Sequence, residues 1–170
     1  MNAFLNDIVQ GLQGVPRESA VAIIGALPGT EVRGGVIAGI NFFHLPPLEA
    51  LALAAAGNLL AITPALIFLE RFERMLRRNR VTERCLHWAF AHVERNAARV
   101  QRWGPLGLLI LTSLPLPGAG AWTGVLIALL LGLRRAPVLA SLYGGVIVGG
   151  AVMTVIATAA DVAVRRLFGL

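Results

Sequence analysis

Long stretches without a charged residue dominate this chain. Positions 104–133 carry no charge, and neither do positions 136–160. A helix that crosses a hydrocarbon layer of about 30 Å needs about 20 apolar residues. The second stretch is long enough for one crossing, whereas the first is too long for one helix and too short for two full ones. This pattern predicts an integral membrane protein.

The first half of the chain contains two apolar runs that are too short to cross a membrane. They cover positions 19–28 and 34–43, and a ten-residue helix is only about 15 Å long. The tripeptide Pro28-Gly29-Thr30 interrupts them, and a run long enough to span follows at 45–69. The predicted order is therefore short helix, break, short helix and full span.

The second half repeats this order. Short apolar runs at 106–115 and 122–133 enclose the segment Pro115-Leu116-Pro117-Gly118-Ala119-Gly120, and the spanning run 136–160 follows. The two halves therefore share one plan.

The two breaks also resemble each other in sequence. Residues 28–36 align without gaps on residues 117–125. Small residues lie in the middle of both long runs, at Gly57-Asn58 and at Gly144-Gly145. The shared order and the shared residues predict an internal duplication. The identical pairs are Pro28 with Pro117, Gly29 with Gly118, Gly35 with Gly124, and Val36 with Val125.

A Pro/Gly break inside an apolar run has a functional meaning in a membrane. Backbone outside helices must be satisfied by protein or water at that depth, never by lipid. Paired broken segments in corresponding positions of two halves point to a transporter site. We therefore predict two re-entrant hairpins whose tips face a cavity. The alternative is two tight turns between undersized spans.

The distribution of arginine predicts the orientation. The segment 71–102 is basic and amphipathic, and together with Arg134-Arg135 it is expected on the cytoplasmic side. The two hairpins then enter from opposite faces, so that the halves are inverted; Arg165-Arg166 would lie outside, which argues against this orientation. The apolar face of the basic segment is formed by Leu86, Phe90, Val93, Ala97 and Val100.

These patterns predict an all-α integral membrane protein with two inverted repeats, each a re-entrant helical hairpin plus a transmembrane helix. Repeat one covers 1–69, a basic amphipathic cytoplasmic linker covers 70–103, and repeat two covers 104–170. Apolar residues at helical spacing in 1–15 predict a short amphipathic helix that lies in the membrane interface. We expect a single multi-pass domain in the plasma (inner) membrane.

Composition narrows the function classes. Apolar residues make up 56% of the chain and charged residues only 14%, which is too few for a water-soluble surface. Much of the net charge of +6 lies in the basic linker, as in a cytoplasmic membrane loop, so no nucleic-acid partner is expected. His87 and His92 do not share a helix face. Without a metal set or a catalytic motif, we expect no cofactor and no enzymatic activity.

Glu31 and Arg33 are the ionisable residues beside the first break. Such groups are costly within a membrane and face a cavity, a partner or a substrate. Thr30 is the expected N-cap of the following helix, whose dipole favours Glu31 and disfavours Arg33. Glu31 is a candidate proton carrier, and Arg33 is a candidate ligand for an anionic group. The alternative is an Arg–Glu pair that satisfies itself in a water-filled vestibule.

The second break offers backbone N–H groups at the start of the helix that contains Trp122. A helix N-terminus beside glycines binds anions readily. Trp122 either stacks on a substrate or anchors at an interface, which is the commoner use. Asn58 is expected to hydrogen-bond across helices in a structural role. The candidate substrate- and proton-binding residues are Pro28, Gly29, Thr30, Glu31, Arg33, Asn58, Pro117, Gly118, Gly120, Trp122, Thr123 and Gly124.

Three segments resemble a known family, the small multidrug export proteins. Pro28-Gly29-Thr30-Glu31-Val32-Arg33-Gly34 is similar to its P-x-x-E-L-R-G segment, and Gly57-Asn58-Leu59 is similar to its mid-span Gly-Asn step. Leu114-Pro115-Leu116-Pro117-Gly118-Ala119-Gly120-Ala121-Trp122-Thr123-Gly124 is close to its signature IPLPGTGAWTG, with Ala119 where Thr is usual. The family is similar in plan to the DedA (VTT-domain) superfamily, which implies paired re-entrant hairpins and export or flipping at the plasma membrane.

Residues and resemblance together predict a small secondary transporter, an exporter or flippase that is coupled to protons and moves an amphipathic or lipid-like substrate. Lipid-linked phosphates suit Arg33 and the glycine-rich loop, and membrane lipids are the expected surroundings. A homodimer is expected, with close packing through Gly144-Gly145 and Gly149-Gly150. The alternatives are a non-transporting scaffold that organises lipids, and an exporter of lipophilic cationic drugs, against which Arg33 argues.

Overall fold

The structure is a computed structural model that describes residues 2–12, 14–76, 97, 100–115 and 119–168. The described residues are helical or lie in short connections, and no strand occurs among them. The helices are α1 (Asn2–Gly11), α2 (Arg17–Ala26), α3 (Glu31–Asn41), α4 (Pro47–Leu76), α5 (Pro105–Ser113), α6 (Ala121–Leu130) and α7 (Arg135–Phe168).

The order of these elements is the predicted one. Two short helices precede a long helix in each half, and the short helices have 10, 11, 9 and 10 residues. Each is therefore about 15 Å long, roughly half of a hydrocarbon layer. We call α2 with α3 helix pair one, and α5 with α6 helix pair two. Break one covers 27–30 and break two covers 114–120, of which 116–118 lie outside the described residues.

Proline ends the first short helix of each pair. Leu27 and Leu114 follow α2 and α5 directly, and both adopt an extended backbone, with φ/ψ of −69°/138° and −74°/131°. Pro28 and Pro115 come next in the sequence, and the residue before a proline is disfavoured in the helical region. The two halves thus end their first helix for the same physical reason.

The long helices α4 and α7 are apolar enough to cross a membrane. Their apolar parts, Pro47–Phe68 and Arg135–Ala163, have 22 and 29 residues. Only 33% and 22% of the most apolar window of each is buried in the protein, and Leu60 and Val155 are 75% and 70% exposed. A core helix of a water-soluble protein would bury such residues, so these faces suit lipid. The α4 helix runs on to Leu76, beyond its predicted end at residue 69.

Small residues bring pair one close to α4. Gly25 of α2 packs against Gly35 of α3 and against the backbone of Ala54 in α4. Gly57 of α4 packs against the carbonyl of Ala22 in α2, where a Cβ would overlap that carbonyl. Without a hydrophobic driving force between helices in lipid, such close backbone approach supplies the packing energy.

The glycines of α7 pack within the chain. Gly144-Gly145 and Gly149-Gly150 lie against Leu109 and Thr112 of α5 and, across the molecule, against Val32 of α3. They are buried or half-buried by their own chain. Within one chain the glycines therefore face α5 and α3, and both the dimer and its close packing through α7 stay predictions.

The N-terminal helix α1 packs on pair one. Leu5 is buried, and Ile8 and Val9 lie against a cluster that includes Ile24 of α2 and Ala38 of α3. The predicted helix with an apolar face is present. That face packs partly on protein, and its place at a membrane interface stays a prediction.

Part of the predicted basic linker lies outside the described residues, at 77–96 and 98–99. Ala97 and Val100, two members of its predicted apolar face, are buried. The other members of that face, which lie outside the described residues, are Leu86, Phe90 and Val93.

Candidate functional site

The C-terminus of α2 lies against other segments, which supply donors to its last carbonyl groups. The last four carbonyls of a helix have no partner within the helix. An unsatisfied carbonyl costs several kcal/mol in lipid, so complete satisfaction is what a helix end at membrane depth requires. Two donors come from break one: Leu27 N–H donates to Ile23 O at 3.2 Å, and the Thr30 hydroxyl donates to Ile24 O. Two come from other helices: Asn58 Nδ2 donates to Gly25 O at 2.8 Å, and Trp122 Nε1 donates to Ala26 O at 3.1 Å.

Thr30 is the N-cap residue of α3, as the sequence predicts, but its side chain makes no capping hydrogen bond. Its hydroxyl points back to α2 and donates to Ile24 O and, at 3.3 Å, to Leu27 O. A threonine hydroxyl can bond helix N–H groups or nearby carbonyls. The predicted position is therefore correct, but the hydroxyl does not cap α3 because the preceding helix end offers carbonyl acceptors within its reach.

Glu31 begins α3, and its carboxylate lies at the start of α6. Glu31 is only 8% exposed. Its two carboxylate oxygens accept the backbone N–H groups of Ala121, at 3.1 Å, and of Trp122, at 3.2 Å. These groups form the positive end of the α6 dipole, which favours a negative partner. An anion does bind at this helix start, and it is the side chain of Glu31.

The backbone of Glu31 is strained. Its φ is +53°, in the left-handed region, which costs a residue with a side chain about 1–2 kcal/mol. Gly29 has a φ of +97°, which glycine adopts without that cost. The chain thus has one left-handed residue in break one, Gly29, and a second directly after it, at the start of α3. Strain of this kind persists where surrounding contacts fix the conformation, commonly at functional sites.

Gly120 leaves room for the Glu31 carboxylate. A Cβ at position 120 would overlap the carboxylate carbon and both of its oxygens. In the alignment of the two halves, Gly120 is the counterpart of Glu31. Repeat two therefore has no side chain at the position where repeat one places its acidic group.

Arg33 and Trp122 complete the contact between the two breaks. Arg33 Nη2 donates to Ala119 O at 2.6 Å and to Thr112 O at 3.2 Å, near the end of α5. In the opposite direction, the Trp122 indole donates to the last carbonyl of α2. The guanidinium also interacts electrostatically with Glu31. We call Glu31, Arg33, Trp122 and the groups that they bind the junction.

The structure brings only some of the predicted site residues to the junction. Asn58 is fully buried, and its hydrogen bond to Gly25 O joins α4 to α2, which confirms the cross-helix role. Gly124 packs against Leu142 of α7 and Thr112 of α5, as close packing requires. Of the others, Thr123 is half-buried, Pro28 and Gly29 are exposed, and Pro117 and Gly118 lie outside the described residues.

Three junction partners were missed by the sequence analysis. Ala26, Thr112 and Ala119 contribute backbone carbonyls to it. Every residue carries such a carbonyl, so residue type gives no signal for these acceptors. A useful indication would have been that the last carbonyls of a short helix need donors from outside that helix.

A family model described as "Putative small multi-drug export protein" matches residues 31–152, which is more than half of the chain. The chain belongs to this family. The matched region begins at Glu31 and includes break two and much of α7. No curated protein and no solved structure matches the chain. The family and the two apolar helices together indicate a membrane protein of the export class, and the family name implies a transporter rather than an enzyme. A relation to the DedA superfamily stays a prediction.

Proposed function

We propose that this chain is a small secondary transporter of the plasma membrane, an exporter or flippase that uses protons to move an amphipathic or lipid-like molecule. One observation carries the proposal: the buried Glu31 carboxylate joins the two breaks by binding the start of α6. A titratable group that joins two halves of a transporter can couple proton uptake to their separation.

The coupling step follows from the charge of the junction. Hydrogen bonds to an ionised carboxylate are roughly twice as strong as neutral ones. Protonation of Glu31 therefore weakens its bonds to Ala121 and Trp122, and it removes the attraction between the carboxylate and the α6 dipole. A proton thus favours separation of the two breaks, and its loss favours their contact.

The groups that Glu31 releases define the substrate class. The free N–H groups at the start of α6 suit an anionic head group, and Arg33 lies close enough to Glu31 to contribute a positive charge. The exposed apolar faces of α4 and α7 suit the hydrocarbon tail of the same molecule. We therefore favour a lipid-linked phosphate, and Arg33 disfavours a lipophilic cation.

The proposed topology has two inverted re-entrant repeats and a homodimeric assembly. The matching helix lengths of the halves support the repeat. The satisfied carbonyls at the end of α2 support a break within the bilayer. The basic residues 71–102 support a cytoplasmic linker.

Replacement of the carboxylate tests the coupling. We expect that Glu31→Gln in proteoliposomes makes uptake of a radiolabelled short-chain polyprenyl phosphate independent of an imposed pH gradient, because the amide cannot exchange a proton. Glu49→Gln is the matched control, since Glu49 is exposed at the first turn of α4. Gradient-dependent uptake that is unchanged in Glu31→Gln contradicts the coupling role. Faster uptake of a cationic dye than of the phosphate would favour drug efflux.

A second function, a non-transporting membrane scaffold, is favoured by one feature. The polar side chains of the junction bind other groups of the protein: Glu31 accepts from backbone amides, and Arg33 and Trp122 donate to backbone carbonyls. A contact of this kind also serves assembly alone. The two functions differ in one observable, because a transporter must expose its breaks to water during its cycle and a scaffold need not.

A further inference from the structure

Arg33 and Trp122 occupy equivalent places in the two halves. The gap-free alignment of 28–36 with 117–125 sets Arg33 opposite Trp122. Each lies in the first turn of the second helix of its pair. Each also donates to the other pair, Arg33 to the Thr112 carbonyl near the end of α5 and Trp122 to the last carbonyl of α2. The two hydrogen bonds therefore run in opposite directions between the pairs, although their acceptors, Thr112 O and Ala26 O, are not aligned positions.

The same alignment sets Glu31 opposite Gly120, and these two positions touch each other. Around a two-fold axis, a residue on the axis meets its own counterpart, and residues away from it make reciprocal contacts. The junction shows the first feature, because Glu31 meets its counterpart Gly120. The carboxylate therefore lies near the centre of the contact, with one donor on each side.

We infer that Trp122 is a positioning residue and the counterpart of Arg33: its indole N–H fixes pair one at the end of α2, and its backbone N–H holds the Glu31 carboxylate. Both contacts originate from one residue, so a shift of Trp122 away from α2 also moves an amide away from the carboxylate. The positions of the two hydrogen bonds do not depend on the proposed function, whereas the effect of Trp122 on transport rests on it.

Trp122 differs in this respect from a tryptophan that anchors a protein at a membrane interface. It is half-buried, and its indole N–H donates to a helix carbonyl of the same chain. Trp103, by contrast, is 58% exposed. Trp103 is therefore the matched control, because its replacement removes an indole without disturbing the junction.

The test compares Trp122→Phe with Trp103→Phe. Phenylalanine keeps an aromatic ring but lacks the N–H, so Ala26 O loses its donor. We expect Trp122→Phe to lower the melting temperature by about 2–4 °C relative to Trp103→Phe. We also expect the pH profile of polyprenyl phosphate uptake to shift to higher pH, since the carboxylate then has a less firmly placed donor. Equal melting temperatures for the two variants would contradict the positioning role.

A second readout needs no transport. In a protein with Trp88→Phe and Trp103→Phe, Trp122 is the remaining tryptophan, since the chain has three. Acidification should shift its fluorescence emission, and Glu31→Gln should abolish that response. An emission maximum that shifts neither on acidification nor in the Glu31→Gln variant overturns the inference. If the wild type moves neither phosphate nor dye, the proposed function fails, whereas the melting and emission results still decide the role of Trp122.

Discussion

At the scale of single residues, the balance of energies at Glu31 explains how one proton could change the junction. Its left-handed backbone costs about 1–2 kcal/mol, whereas a hydrogen bond to a charged group contributes about 1.5–3 kcal/mol. The two amide contacts of the carboxylate therefore outweigh the strain while the group is ionised. Protonation removes much of that gain and leaves the strain, so the neutral side chain is easier to release.

Gly120→Ala tests this balance without changing any charge. The added methyl group would overlap the Glu31 carboxylate and should displace it from α6. We expect a loss of stability of about 1–3 kcal/mol and uptake that no longer depends on a pH gradient, as in Glu31→Gln. Gly11→Ala is the control, because a Cβ at Gly11 meets no atom within 4 Å. Thermal unfolding in detergent and proteoliposome uptake measure both effects; a wild-type result for Gly120→Ala would contradict the proposed contact.

At the scale of elements, the end of α2 shows what fixes a short helix that stops within the protein. Donors from break one, from α4 and from α6 converge on its last carbonyls. Two of these donors come from side chains far along the chain, Asn58 and Trp122. The helix end therefore depends on tertiary contacts more than on local capping.

Asn58→Ala separates this structural role from proton coupling. The variant leaves the Gly25 carbonyl without its side-chain donor in a fully buried place, which should cost about 1–3 kcal/mol. The pH dependence of any remaining uptake should be retained, because the Asn58 amide bonds α2 through Gly25 O. Thr154→Ala is the control, since the Thr154 hydroxyl bonds a carbonyl of its own helix. Melting curves measure the difference, and a loss of pH dependence in Asn58→Ala would assign Asn58 to the coupling machinery instead.

The elements themselves were predictable, and their partners were not. Proline, glycine and apolar run length determine where α2 and α5 end, because these are local effects of backbone conformation. Glu31 and Arg33 were identified because charge is costly in an apolar run. The carbonyls that Arg33 binds depend on how the two halves pack, and no local sequence pattern predicts that packing. Thr30 shows the limit of local prediction, because its hydroxyl bonds carbonyls at the end of α2 whose position the sequence does not reveal.

At the scale of the whole molecule, the described helices include two long helices, α4 and α7, and the four short helices of the two pairs, which are about a third as long. The apolar faces of α4 and α7 are largely exposed, as lipid contact requires, whereas the junction is enclosed by both pairs. If the breaks lie near the middle of a bilayer, water can reach the buried junction between them only when the pairs separate. Accessibility of the breaks to water therefore distinguishes a transporter from a scaffold.

Cysteine labelling in membrane vesicles measures this accessibility. Cys85 is the one cysteine of the chain and is first replaced by serine. In this Cys85→Ser background, Pro28→Cys and Pro115→Cys place a thiol at an exposed position of each break. We expect a water-soluble maleimide to label both faster when Glu31→Gln is also present, because the neutral side chain weakens the junction. Leu60→Cys, on the exposed apolar face of α4, should stay unlabelled in lipid. If neither break is labelled in either background, water never reaches the junction and the scaffold function replaces the transporter. If only the Glu31→Gln background is labelled, the carboxylate is the group that keeps the two halves closed.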